Sequence, residues 1–416
     1  MKNYSLITLA SLIFSFSVCT FAASAQSATQ RQMLDTFVRY ASINSQSSKD
    51  TVFTEGQRDM ALALQADVEQ AVKASGVKGV QCIVSPENYV YVTIPANVKK
   101  ACPSLGISCH LDVTPEAKGG DIKPIVDSLN GHTIVRTDGS TLLGADDKCG
   151  CTIAMQLIRT ALSDRKLKHG VLMFAFCPNE DVGGAADAID STIFSPDILF
   201  DLDGTGGEVV TNSNFTARGL NVKFVGRDAH PGDAKAEKLG DAVAAAATFI
   251  ASVPLKYRPE TTEGLQGYIH PWSFDKKDND VTVDTRIRYF DKAEGEIFDK
   301  IVKDALKRVE TDFPNVKVEI LFDGLQYENV SYTLHPKAMT LVQNAADKIG
   351  KKIKFDGERG GTTASMLAAK GLNGGMCVFT GQHEIHSTRE YADLQEMEEA
   401  YNLMLEVMKQ IPALKD

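Results

Sequence analysis

Four short apolar runs restrict this chain more than any other feature: Leu105 to Cys109, Val171 to Cys177, Ile198-Leu199-Phe200 and Met376 to Thr380. A strand that is apolar at every position, rather than at alternate ones, has both faces covered, which is the condition of a parallel sheet inside an open α/β layer structure. Each run is followed closely by acids or histidines: His110-Leu111-Asp112, Glu180-Asp181, Asp201-Leu202-Asp203 and His383-Glu384-Ile385-His386. Ligand sites in such sheets form at the carboxyl ends of the strands. If the four runs are parallel neighbours, these polar junctions meet on one edge.

Asp146-Asp147-Lys148 precedes a helical pattern through Ile153, Met155, Leu157, Ile158 and Leu162, so this acidic pair lies at a helix entrance. With Asp146 the junctions assemble two histidines and several carboxylates, a mixed nitrogen and oxygen set suited to zinc or another divalent transition metal. Calcium would prefer oxygen alone. In an extended segment, positions i and i+2 share a face, so His110 could bind metal while Asp112 holds its ring from behind. The adjacent acids Glu180 and Asp181 could divide the work, one binding metal and one moving protons. Each feature also has a plainer reading: adjacent acids after a strand often begin a helix, and Asp203-Gly204 is an ordinary turn pair. Nothing local selects Asp203 over Asp201.

The chain has 416 residues, enough for two or three domains at roughly 150 residues each. Its 43% hydrophobic and 24% charged composition is that of a soluble globular protein. A formal net charge of −10 disfavours nucleic acid and anionic membrane surfaces as partners. Residues 1–25 read as a secretory signal peptide, with Lys2, a mostly apolar stretch from Leu6 to Phe21 and a small-residue cleavage site at Ala23-Ser24-Ala25. The mature protein is therefore expected outside the cytoplasm, periplasmic or extracellular. The seven remaining cysteines are scattered and odd in number, which is no disulfide framework.

Between residues 216 and 330 the pattern becomes strand, alanine-rich helix, two strands, helix, strand. That order, β-α-β-β-α-β, is a self-contained ferredoxin-like two-layer unit. The expected organisation is a discontinuous α/β catalytic domain, 26–215 and 331–416, interrupted by an inserted lid or dimerisation domain, 216–330.

The stretch Thr137-Asp138-Gly139-Ser140-Thr141-Leu142-Leu143-Gly144-Ala145-Asp146-Asp147-Lys148 resembles the signature of peptidase T, the tripeptide-aminopeptidase group of the M20 metallopeptidase family. Thr54-Glu55-Gly56-Gln57, His230-Pro231-Gly232, Arg359-Gly360-Gly361-Thr362 and Phe379-Thr380-Gly381 recur in the same order as in that family, and the similarity runs from about residue 30 to 416. It implies a zinc-peptidase-like α/β domain holding two divalent metal ions, with zinc expected. One ion would be bound by His110, Asp146 and Asp203, the other by Asp146, Asp181 and His386, with Asp146 bridging. Asp112 would orient His110, and Glu180 would be the general base. His386 is favoured over His383 because it stands four residues before Glu390, as in the family. The resemblance also implies substrate-binding roles for His230, Arg288 and Arg359, His230 reaching the site of a partner subunit in a homodimer formed through the inserted domain.

The activity so implied is release of the N-terminal residue from tripeptides or other short peptides. Its rivals are another M20-type hydrolysis (of dipeptides or N-acyl amino acids) and a catalytically silent peptide-binding protein. Three departures bear on specificity: Asp181 stands where the family carries Glu, Thr363 where it carries Asp, and Glu384 places a charge just before His386.

Overall fold

The computed structural model describes residues 26–49 and 53–414, so the expected signal peptide lies outside the described residues. The four apolar runs become the strands Leu105–His110, Leu172–Cys177, Ile198–Thr205 and Gly375–His383. They are neighbours in one sheet, in the spatial order 172–177, 105–110, 198–205, 375–383, and every adjacent pair is parallel. The sheet as a whole is mixed. Antiparallel strands extend it on both sides, Val90–Ile94 and Gln81–Val84 beyond one flank, Tyr391–Asp393, His132–Arg136 and Ile125–Leu129 beyond the other. The central four are buried at nearly every position up to their carboxyl ends, as expected of strands covered on both faces.

The helix Ala145–Ser163 is buried along almost its entire first four turns and packs against Ala28–Ala41, Glu55–Ser75 and Leu394–Gln410. It meets the strand Ile198–Thr205 at Gly150, where an added Cβ would lie 2.0 Å from the Leu202 carbonyl oxygen. Only glycine permits that approach, which explains the small residue between Cys149 and Cys151. The helix entrance is irregular: Asp146 and Asp147 have non-helical dihedrals and are joined by a cis peptide bond. All seven cysteines of the described chain are free, and no helix of the described residues is long and apolar enough to cross a membrane.

A second, separate sheet is built from Thr216–Val225, Tyr268–Pro271, Asp280–Tyr289 and Lys317–Tyr327, with the short strand Asp275–Lys277 at its margin. Its order is 268–271, 280–289, 216–225, 317–327, all antiparallel. Ala242–Ser252 and Lys292–Asp312 cover one face and bury their own cluster of Phe224, Phe249, Ile287, Phe298 and Val302. This is the ferredoxin-like arrangement expected from the order of patterns, with its own core.

Candidate metal centre and active site

The carboxyl edge of the four parallel strands gathers the residues that the sequence places at their ends. His110, the last residue of its strand, lies with Nε2 2.9 Å from Asp146 Oδ1 and 3.6 Å from Asp203 Oδ1. His386, three residues past the end of Gly375–His383, has Nε2 3.3 Å from Asp146 Oδ2 and 3.0 Å from Asp181 Oδ1. Asp146 thus offers one oxygen to each histidine. The ligand atoms of His110, Asp146 and Asp203 lie within 4.8 Å of one another, as do those of Asp146, Asp181 and His386. These are the two triads expected, sharing Asp146.

Local structure fixes each member. His110 Nδ1 lies 3.2 Å from the Asp112 backbone carbonyl and 3.5 Å from its buried carboxylate Oδ1, and that carboxylate accepts the backbone N–H groups of Glu180 and Asp181 at 3.0 and 3.3 Å. It orients the ring and holds the acidic pair in place together. Asp147 points the opposite way, accepting from the backbone N–H of His110 and of Gly150, both at 3.0 Å. Glu390 receives three backbone N–H groups, those of Leu143, Gly144 and Asp146, so the acid four residues after His386 fastens the loop that presents Asp146. His386 adopts a left-handed backbone, φ 59°, a conformation uncommon for such a residue and found where surrounding structure enforces it.

The structure separates residues that the sequence leaves equivalent. Asp203 faces His110, while Asp201, two residues deeper in the sheet, is occupied by Ser108 Oγ at 2.6 Å and the Ala364 N–H at 2.8 Å. His383 stacks on Tyr391 and lies 2.9 Å from Glu396 Oε2, away from the cluster. Glu384 pairs with Arg389 at 3.2 Å, and its charge is turned outward.

Electrostatics follow from crowding acids and imidazoles in a shielded pocket. Burial pushes the Asp181 carboxyl up to about 6 and the Glu180 carboxyl well above its usual range. Hydrogen bonds to Asp146 and Asp181 push His386 up to about 11. Burial opposes the His110 cation, but Asp203, Asp112 and Asp146 outweigh it and hold its pKa well above the ordinary value. Burial likewise opposes the Asp146 anion, and the two histidines overcome it, holding Asp146 below the ordinary carboxylate range. Asp181 Oδ2 is buried without a hydrogen-bond partner. An orphaned carboxylate oxygen beside a mixed histidine and carboxylate set is what divalent metal ligands look like before the ion is added.

The cluster opens into a cavity of ≈ 300 Å³ whose lining also includes Tyr327, Glu358, Gly361, Met366 and Ile385. Gly361 is required here, because an added Cβ would sit 2.7 Å from the Tyr327 ring. Three residues given substrate-binding roles lie outside the cluster. His230 is exposed in a turn of the inserted domain, accepting from the Gly232 N–H at 3.2 Å. Arg288 stands behind the cavity wall, its guanidinium 5.3 Å from the centre of the Tyr327 ring. Arg359 donates to the Gly264 and Gln266 carbonyls and to Thr262 Oγ1 while lying over the Phe215 and Tyr268 rings. In this chain Arg359 clasps a loop of the inserted domain and does not point into the cavity. Glu358 lines the cavity and had no signal in sequence, since an acid before Arg-Gly-Gly is unremarkable by itself.

Fold and cluster together define a metal-dependent hydrolase whose ligands collect at the carboxyl edge of a parallel sheet. The model of Peptidase family M20/M25/M40 matches residues 106–410. The chain belongs to that family and is a hydrolytic metallopeptidase. It is 30% identical over 410 residues to Peptidase T of Pectobacterium carotovorum subsp. carotovorum, covering 90% of this chain and 97% of that one. It is 28% identical over 412 residues to Peptidase T of a Geobacillus species, covering 91% and 98%. In fold it resembles the aminopeptidase PepT of Bacillus cereus, with TM-score 0.74 and 21% identity over 92% of this chain and 98% of that one. It also resembles YXEP of Bacillus subtilis, a dinuclear metal-binding M20 peptidase, with TM-score 0.63 and 12% identity over 93% and 99%.

Proposed function

We propose that this protein is an exported, zinc-dependent aminopeptidase that releases the N-terminal residue from tripeptides or other short peptides. The observation that carries the reading is Asp146, shared between two triads of ligand atoms at the mouth of a small cavity. His110, Asp146 and Asp203 would hold one ion, and Asp146, Asp181 and His386 the other. Bound there, a metal pair supplies Lewis acidity to activate water and polarise the scissile carbonyl. Glu180 takes the proton from the attacking water and delivers it to the leaving amine, its backbone held beside the two triads by the Asp112 carboxylate. Asp112 keeps the His110 ring and the Glu180 backbone in register. Arg288, one layer behind Tyr327, is the candidate partner for a substrate carboxylate.

The likeness to Peptidase T along nearly the whole chain supports this choice over other M20 chemistry. The leader-like residues 1–25 support export. A homodimer through the inserted domain is supported by the edge strand Lys317–Tyr327, which leaves Ile320, Leu321, Phe322 and Leu325 about half exposed. An apolar unpaired edge invites association, and His230 would then be available to a partner's site. Hydrolysis of a panel of tripeptides, dipeptides and N-acetyl amino acids by purified protein tests the reading. Tripeptides should be cleaved fastest, and preference for the acylated compounds would defeat it.

A further inference from the structure

The cavity wall carries five carboxylates, Asp146, Glu180, Asp181, Asp203 and Glu358, and among the described residues no lysine or arginine lines it. Arg359 holds the loop 262–266, Arg288 lies behind the Tyr327 ring with Nη1 on the backbone carbonyls of Arg218 and Ile287, and neither lines the cavity. Four of the five acids are accounted for by the reading above, three as metal ligands and one as proton carrier. Their four negative charges balance two divalent cations. Glu358 belongs to neither triad.

Glu358 ends the strand Lys354–Glu358. Only its backbone is tied down there, its carbonyl accepting the Phe215 N–H at 3.3 Å. The side chain bends over the following turn, with Oε1 3.2 Å from where a Cβ on Gly360 would be. A larger residue at 360 would therefore crowd the carboxylate. Among the described residues no side-chain hydrogen bond or ion pair engages it. Desolvation and the Asp146 and Asp201 charges raise its pKa, while the residue keeps solvent access on the cavity wall. An uncompensated carboxylate on a cavity wall next to reacting groups is complementary to a cationic part of the substrate.

We infer that Glu358 is a specificity-determining residue that binds the α-ammonium group of the substrate's N-terminal residue. The inference rests on the aminopeptidase reading and deepens it. An N-acylated substrate has no positive charge to offer, and would leave Glu358 buried against a neutral group at the cost of its hydration. A free amino terminus supplies both the charge and the hydrogen-bond donors. The cavity thus selects for an unblocked terminus, and its volume of ≈ 300 Å³ admits the end of a short peptide.

The test compares Ala-Gly-Gly with its des-amino analogue propionyl-Gly-Gly, using metal-loaded wild type and Glu358→Gln. The substitution is isosteric and sits on a solvent-reachable wall. For Ala-Gly-Gly the variant should raise KM roughly 10- to 100-fold, the worth of a hydrogen bond to a charged group, with metal content unchanged. For propionyl-Gly-Gly, kcat/KM should stay level or rise. Calorimetric titration with free alanine should show a matching loss of affinity. Equal losses on both compounds, or no loss on Ala-Gly-Gly, would overturn the role of Glu358 and leave the aminopeptidase reading standing. A wild-type enzyme that cleaves only the propionyl compound would overturn both.

Discussion

Asp146 is the residue through which the others communicate, with one carboxylate oxygen toward His110 and the other toward His386. Surrounding acids raise both imidazoles, His386 to a pKa of about 11, which keeps it a cation near neutrality, and His110 above its usual value. A metal needs the neutral ring, so each histidine must lose its proton on loading. Metal binding to chelator-stripped protein at pH 7 should release at least about one proton, that of His386, and affinity should fall as the pH falls. Calorimetry in buffers of different ionisation enthalpy measures the count, and a release near zero would contradict the assignment of His386 as a ligand. Glu180 belongs to the same scale. Glu180→Gln should lower kcat by about 10²- to 10⁴-fold while metal content, read by elemental analysis, stays unchanged. Glu390 is different in kind, because it touches no ligand atom and instead fixes the loop that delivers Asp146. Glu390→Gln replaces one accepting oxygen with an amide donor facing a backbone N–H. A loss of about 1–3 kcal/mol in stability, seen in thermal melts, should accompany weaker metal binding.

At the scale of elements, sequence pattern was most informative where burial is two-sided. The runs beginning at Leu105, Val171, Ile198 and Met376 are apolar because both faces of their strands are buried. Their ends could therefore be read as one edge before any coordinate was known. The flanking antiparallel strands carry no such mark: Ile125–Leu129 is exposed throughout and Gln81–Val84 largely so, and neither announces its place in the sheet. Asp201 and Asp203 illustrate a second limit. They share a strand face, and only depth decides that one reaches the metal cluster while the other meets Ser108 and the Ala364 backbone. Depth depends on where the helix Thr363–Ala369 docks, which no local pattern records. The edge strand Lys317–Tyr327 offers its own prediction. Phe322→Asp, on a residue 50% exposed, should shift the protein from dimer to monomer in sedimentation equilibrium with its fold intact. An unchanged mass would place any dimer contact elsewhere.

For the molecule as a whole, three buried clusters share one chain, two in the main α/β layers and one in the inserted domain, and Arg359 reaches from the main layers to the loop 262–266. The resemblance implies a substrate role for this arginine, whereas in the structure its Nη1 and Nη2 groups donate to that loop. The difference arises because a motif records that a residue recurs and not what it faces. Arg359→Ala should speed hydrogen exchange at residues 262–267 without altering metal content. Glu358 shows the converse case, a residue without a motif whose importance appears only once distant segments close a cavity around it. What unites these scales is a paired metal site at the junction of four strand ends. The most direct test is anomalous diffraction at the zinc edge from crystals of the zinc-loaded protein. The account predicts two peaks, one between His110 and Asp203 and one between Asp181 and His386, with Asp146 between them. Peaks away from Asp146, or none in an active sample, would contradict it.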